Sequence, residues 1–163
     1  MKIETLRELL TDELQDLHSA EQQITKALPK LIEASHNPNL RQAFEHHLEE
    51  TRNHVTRLEQ ILQRMNESPK GKTCEGMKGL LKEGDERVSD SGEAEVLDAG
   101  IISAAQRVEH YEIAAYGSAR TYAELLGDQE AVRLLSQTLE EEKAADAKLN
   151  QVARTVNVEA KAA

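Results

Sequence analysis

Four long stretches in which apolar residues recur every three or four positions, with acids falling on the same phase, constrain this chain more than any other feature. In the first, the repeating positions read Leu14, Leu17, Glu21, Ile24, Leu28 and Leu31. Residues so spaced share one face of an α-helix, so Glu21 is predicted to point inward. The second gives Ala43, His47, Glu50, His54, Leu58 and Ile61, which places Glu50 and His54 inward one turn apart. The third runs Ile101, Ala105, Val108, Glu112, Ala115, Ala119, Tyr122, Leu126, with Glu109 one turn before Glu112. The fourth runs Val132, Leu135, Leu139, Glu142, Asp146, Leu149, Ala153. No segment alternates apolar and polar residues long enough for a strand. The expected fold is all-α, with every long helix sending at least one acid inward near its middle.

Breaks in the pattern set the expected boundaries. The first helix should run from Glu4 to Ala34 with a kink at Pro29, which lacks an N–H and crowds the carbonyl of Thr25. Asn37 and Pro38 read as the cap and first residue of a second helix that ends near Met65. NESPKGKT, residues 66–73, is a loop, and Cys74 to Val88 forms a short helix weakened by three glycines. A third long helix should span Glu93 to Leu126, and Gly127-Asp128 joins it tightly to a fourth that ends near Val156 before a frayed tail. Two tight hairpins joined by a long crossover make a four-helix bundle with an additional short helix in the connection. A faint repeat supports the pairing: Leu48-Glu49-Glu50 laid over Leu139-Glu140-Glu141 brings Glu21 over Glu112.

A length of 163 residues suits one domain, expected to occupy 1–163. With aromatics at 2% and no Trp, Leu, Ile, Val and Ala must supply the core. The net charge of −10, with dispersed basic residues, argues against nucleic acid or an anionic membrane as partner. The lone Cys74 allows no intrachain disulfide and no thiolate metal cage. No apolar run is long enough to span a bilayer, and MKIETLRELL lacks the apolar centre of a signal peptide, so a cytoplasmic setting is expected.

Buried carboxylates without bases to pair with become protonated or find a counterion. Here the stripes hold few basic residues, and divalent cations are the natural partners of such a cluster. In di-iron and di-manganese bundles the carboxylates bridge two ions roughly 3.5–4 Å apart. Hard oxygen ligands with one imidazole, that of His54, suit iron or manganese, and zinc can take the same ligands.

The stretches DLHSAEQQI, HLEETRNHVTRLEQI, AAQRVEHYEIAAYGSA and QTLEEEKAADAKL closely resemble the YciF/YciE-like bacterial stress proteins of the ferritin-like superfamily, and the similarity covers nearly the whole chain. The resemblance implies a ferritin-like bundle, commonly a homodimer, holding a dinuclear metal centre. Carried onto matching positions it implies Glu21, Glu50, His54, Glu109, Glu112, Glu142 and Asp146 as ligands to two metal ions, iron first. The pair Glu109 and Glu112 is similar to rubrerythrin-like sites, where two acids on one helix exchange as ligands. Two departures stand out: His54 follows Glu50 by four residues rather than the usual three, and no cysteine cluster for electron transfer is present. The functional expectation is a stress-response protein whose di-iron carboxylate centre reacts with dioxygen or peroxide. The alternative is a non-enzymatic metal-binding or structural bundle.

The remaining polar residues carry lesser expectations. His47 should support a ligand or pack in the core, and His18 and His110 should not be ligands. Glu49, Glu140 and Glu141 should form a solvated face. Tyr111, Tyr116 and Tyr122 should pack, with Tyr116 one turn after Glu112. Cys74 should be a small packed residue.

Overall fold

The computed structural model describes residues 3–163; Met1 and Lys2, at the start of the expected domain, lie outside the described residues. The helices are α1 (Leu6–Ala34), α2 (Pro38–Arg64), α3 (Glu75–Ser89), α4 (Ala94–Leu125) and α5 (Gln129–Ala162). Among the described residues there is no strand, and no helix is long and apolar enough to cross a membrane.

Local chemistry sets most of these boundaries. Thr5 caps α1 in a reciprocal box with Glu8, its hydroxyl accepting from Glu8 N at 3.2 Å while Glu8 Oε2 accepts from Thr5 N at 2.9 Å. Asn37 caps α2 by accepting from the N–H groups of Asn39 and Leu40, with Pro38 in the first turn as expected. Helix α4 ends in a Schellman motif: Gly127 adopts φ 76°, its N–H bonds Glu124 O, and Asp128 N bonds Ala123 O. Asp128 then caps α5 by accepting from Ala131 N at 3.0 Å. The end of α2 repeats the motif with Asn66 at φ 59°, its N–H on Gln63 O and Glu67 N on Leu62 O.

The terminal segment expected to fray is helical to Ala162, although Val156 is its last buried residue and Val158 beyond it is exposed. Pro29 lies within a continuous α1 on its exposed side. In α3, Gly76 lets the Tyr111 ring lie on the backbone, where a Cβ would stand 2.8 Å from Tyr111 Cε2. Cys74 is buried as expected and also caps α3, its Sγ accepting from Met77 N and lying 3.1 Å from Tyr111 Oη.

Helix α1 packs on α2 and α4, and α5 packs on α2 and α4, so α1, α2, α5 and α4 follow one another around a four-helix bundle. The crossover between α2 and α4 carries α3, which lies against α4 and α1. This is the expected architecture. At the corner between α1 and α2 the buried Asp98 of α4 accepts from His36 N at 2.9 Å and Asn37 N at 2.6 Å. Asp98→Ala is expected to cost about 2–3 kcal/mol by stranding these donors, read as a lower urea midpoint with unchanged slope.

The apolar core is two clusters. One gathers Leu10, Leu14 and Leu17 with Leu58, Leu62, Leu135 and Leu139 at one end. The other gathers Ile24, Leu28 and Phe44 with Ile101, Ile102, Leu149 and Val152 at the opposite end. Glu21 follows Leu17 and precedes Ile24, and Glu142 lies between Leu139 and Leu149, so the inward acids form a polar layer where the two clusters meet.

A buried carboxylate and imidazole centre

Six side chains make up that layer. Glu21 comes from α1, His47 and His54 from α2, Glu109 and Glu112 from α4, and Glu142 from α5; none is more than 4% exposed. Their ligand-type atoms fall into two groups, each with atoms mutually within 4.8 Å: Glu21, His54 and Glu142, and His47, Glu109, Glu112 and Glu142. Glu142 belongs to both. His54 Nδ1 lies 2.9 Å from Glu142 Oε1 and 3.2 Å from Glu21 Oε1, and His47 Nε2 lies 3.4 Å from Glu109 Oε1 and 3.6 Å from Glu142 Oε2.

These approaches are close but poorly aligned as hydrogen bonds. Among the described residues, the buried side-chain polar atoms without a hydrogen-bond partner are Arg120 Nε and atoms of this layer alone. The layer contributes Glu21 Oε2, His47 Nε2, His54 Nδ1, Glu109 Oε2 and both oxygens of Glu112 and of Glu142. These converging, unpaired atoms could hold metal ions.

Burial raises the Glu112 carboxyl well above the carboxylate range, reinforced by the charges of Glu142, Glu21 and Glu109. Glu109 is raised by burial and by Glu142, against the opposing pull of His47. Burial and the charge of Glu21 raise Glu142, although His54 opposes them. For His54, burial disfavours the imidazolium, but Glu142 and Glu21 outweigh it and push the value up to about 11. Without a metal ion, this layer holds protons.

Neighbouring groups fix how the layer's atoms face. Arg57 grips Glu141 with Nη1 on Oε2 at 2.5 Å and Nη2 on Oε1 at 3.0 Å, and Glu141 Oε2 accepts from His54 Nε2 at 2.8 Å. With the Nε2 proton given to Glu141, loss of the second ring proton would leave Nδ1 as the electron-pair donor toward the layer. Tyr116 Oη donates to Glu21 Oε1 at 2.5 Å, which leaves Oε2 free. Glu141 was expected on a solvated face; its place four residues before Ala145 gave little sign that an arginine would draw it inward.

Two of the expected ligands stand apart. Glu50 is half-buried on the flank of α2, held 3.1 Å from His46 Nε2 and 3.3 Å from His47 Nδ1. Asp146 faces α4, where Gln106 Nε2 donates to it at 3.0 Å and His110 Nε2 lies 3.4 Å away. Neither joins the two groups, and His47, expected only to support or pack, takes a place there. The inward row of α2 runs Leu40, Phe44, His47, Thr51, His54, Leu58, so Thr51 holds the interior position beside Glu50. The row of α5 steps from Glu142 past Ala145 to Leu149, which turns Asp146 to the side.

A family model described as a domain of unknown function, DUF892, matches residues 5–163. The chain belongs to the DUF892 family. Protein YciF of Escherichia coli (strain K12) is 46% identical over 154 residues, 94% of this chain and 93% of that protein. The crystal structure of the E. coli stress protein YciF superposes with a TM-score of 0.91 at 44% identity, covering 94% of this chain and 98% of that one. YcfI from Rhodopseudomonas palustris gives 0.88 at 48% identity over 91% and 95% of the two chains. A Xanthomonas campestris protein at 21% identity and a TM-score of 0.76, over 94% of each chain, shares the fold. The expected kinship with YciF-like proteins is therefore borne out.

In this DUF892 chain the Arg57, Glu141 and His54 relay makes a direct prediction. If the layer holds metal, Glu141→Ala is expected to weaken that binding about 10–100-fold, the usual loss when the partner of a metal-binding imidazole is removed, measured by competition with a chromogenic chelator. Affinity equal to the parent's would show that Glu141 does not orient His54.

Proposed function

We propose that this chain is a stress-response protein of the YciF kind that holds two divalent metal ions, iron foremost, in the layer of Glu21, His47, His54, Glu109, Glu112 and Glu142. The observation that carries this reading is the set of buried, converging atoms without hydrogen-bond partners. Charge supports it: the four carboxylates of the two groups carry the negative charge that two divalent cations would balance. Mixed carboxylate and imidazole donors suit iron or manganese, with zinc able to take the same positions. Glu142, common to both groups, would help to hold both ions.

Bound iron would supply one-electron redox chemistry toward dioxygen or peroxide. The chain's own part is to place donors and manage protons. Glu141 holds the Nε2 proton of His54, Tyr116 holds one oxygen of Glu21, and Glu112, with neither oxygen engaged, has the freedom to change which atom it offers. Leu17, Ile24 and Leu139 flank the layer and keep bulk water from its core side. The family resemblance also supports a homodimer in the cytoplasm, which light scattering and cell fractionation test.

Elemental analysis of untagged protein from its native host, with anomalous diffraction at the metal edges, tests the reading. Two ions per chain within the layer are expected. Fully bonded waters there, with no metal after purification without chelators, would overturn it. Oxidation of added iron(II) no faster than in buffer would retain the metal site and remove catalysis.

A further inference from the structure

A cleft of about 430 Å³ opens between α2 and α5 and reaches inward to His47 and Glu109. Its walls are Ala43 and Phe44 on one side and Ala144, Ala145 and Leu149 on the other, and Lys148 stands at its rim. At its inner end stand His47 and Glu109, with side chains 5% and 4% exposed, whose buried Nε2 and Oε2 atoms have no hydrogen-bond partner. Dioxygen or peroxide would need space of roughly one water, about 30 Å³. A cleft this large with apolar walls lies in the size range of organic-ligand sites.

We propose that this cleft binds a small organic molecule with an apolar body and an anionic end. The inference deepens the metal-centre reading and rests on it for what the inner end of the ligand approaches. Orientation follows from charge. The four carboxylates of the layer already balance the two cations and leave no positive charge to draw a further anion inward, whereas Lys148 forms no ion pair among the described residues and is available at the rim. Glu50, the acid at the rim, is already engaged by His46 and His47. The apolar body therefore lies inward against Phe44 and Leu149, with the anionic end outward at Lys148. The three alanines leave the width for it, since any larger side chain there would occupy the space.

The probes are decanoate, below its micellar concentration, and decanol, titrated calorimetrically into the full-length metal-loaded protein. Decanoate is expected to saturate at one molecule per chain. Ala145→Phe, which fills a partly exposed wall position, should weaken it at least tenfold with metal content and melting temperature unchanged, and Ala43→Leu from the facing wall should act alike. Lys148→Gln should weaken decanoate several-fold and leave decanol as it was. Absence of saturable binding by protein that holds its two ions overturns the cleft proposal and leaves the metal centre standing. Decanoate binding that survives both filling variants overturns it too, as does conversion of a dimer to monomer by Ala145→Phe, which would assign the face to a second copy. Binding that is lost in both variants, in protein that takes up no metal, supports the cleft and overturns the metal centre.

Discussion

Glu142→Gln is expected to abolish metal-dependent stabilisation while leaving the metal-free protein as stable as the parent, within about 1 kcal/mol. Glu142 is the one residue common to both groups of donors, and both its oxygens lack a hydrogen-bond partner. The substitution keeps the volume and removes the charge that both cations would share. At a metal concentration a thousand times the dissociation constant, the parent should gain about 4 kcal/mol for each ion bound, seen as a rise in melting temperature. The variant should gain next to nothing and bind at most one ion per chain by elemental analysis. Metal-free protein loses little, because burial and the charge of Glu21 already disfavour the Glu142 carboxylate, and His54, which it faces at 2.9 Å, keeps Glu21 at 3.2 Å and Glu141 at 2.8 Å as partners. Two ions retained by the variant, with the full thermal gain, would contradict the shared-ligand geometry.

Stability should depend on pH with opposite sign in the metal-free and metal-loaded proteins. Folding raises the values of Glu109, Glu112 and Glu142 above the ordinary 4.5, and that of His54 from 6.5 to about 11. Above pH 4.5 the metal-free folded chain therefore binds more protons than the unfolded chain, so its stability falls as pH rises. The carboxyl groups begin this loss as pH passes 4.5, their unfolded value. The contribution of His54 is complete below 6.5 and disappears as pH climbs toward 11. Each proton of difference amounts to about 1.4 kcal/mol per pH unit. Bound metal displaces the same protons, so the loaded folded chain binds fewer than the unfolded chain between about pH 4.5 and 7, and its stability rises over that interval. Urea unfolding at several pH values, with iron(II) or manganese(II) and with chelator, reads both slopes. Parallel slopes would show that the layer keeps its protons when metal is present.

Helix capping was legible position by position. Asn37 with Pro38, and Gly127 with Asp128, mark turns whose geometry depends on a few neighbouring residues, and both form as the sequence indicates. The interior position of Glu21, Glu112 and Glu142 was legible as well, because each replaces an apolar residue in an otherwise regular row. Glu50 and Asp146 were harder. Each sits where the row can continue by a step of three or of four, and the sequence offers a small or polar residue at both choices. The faint internal repeat held a hint: it lays Glu50 over Glu141, two acids that both end on the flanks, and Thr51 over the buried Glu142.

The sequence by itself determined that four long helices would form, where they would break, and that anionic groups would meet halfway along the bundle. Only the tertiary structure decided that His47 rather than Glu50 enters the layer, that Asp146 turns to Gln106, and that Arg57 and Glu141 hold His54. Adjacent residues of a helix point about 100° apart, so periodicity narrows the interior face to a sector two residues wide. Which of the two faces the centre depends on how neighbouring helices cross and on what their side chains offer, and that is a property of the packed bundle.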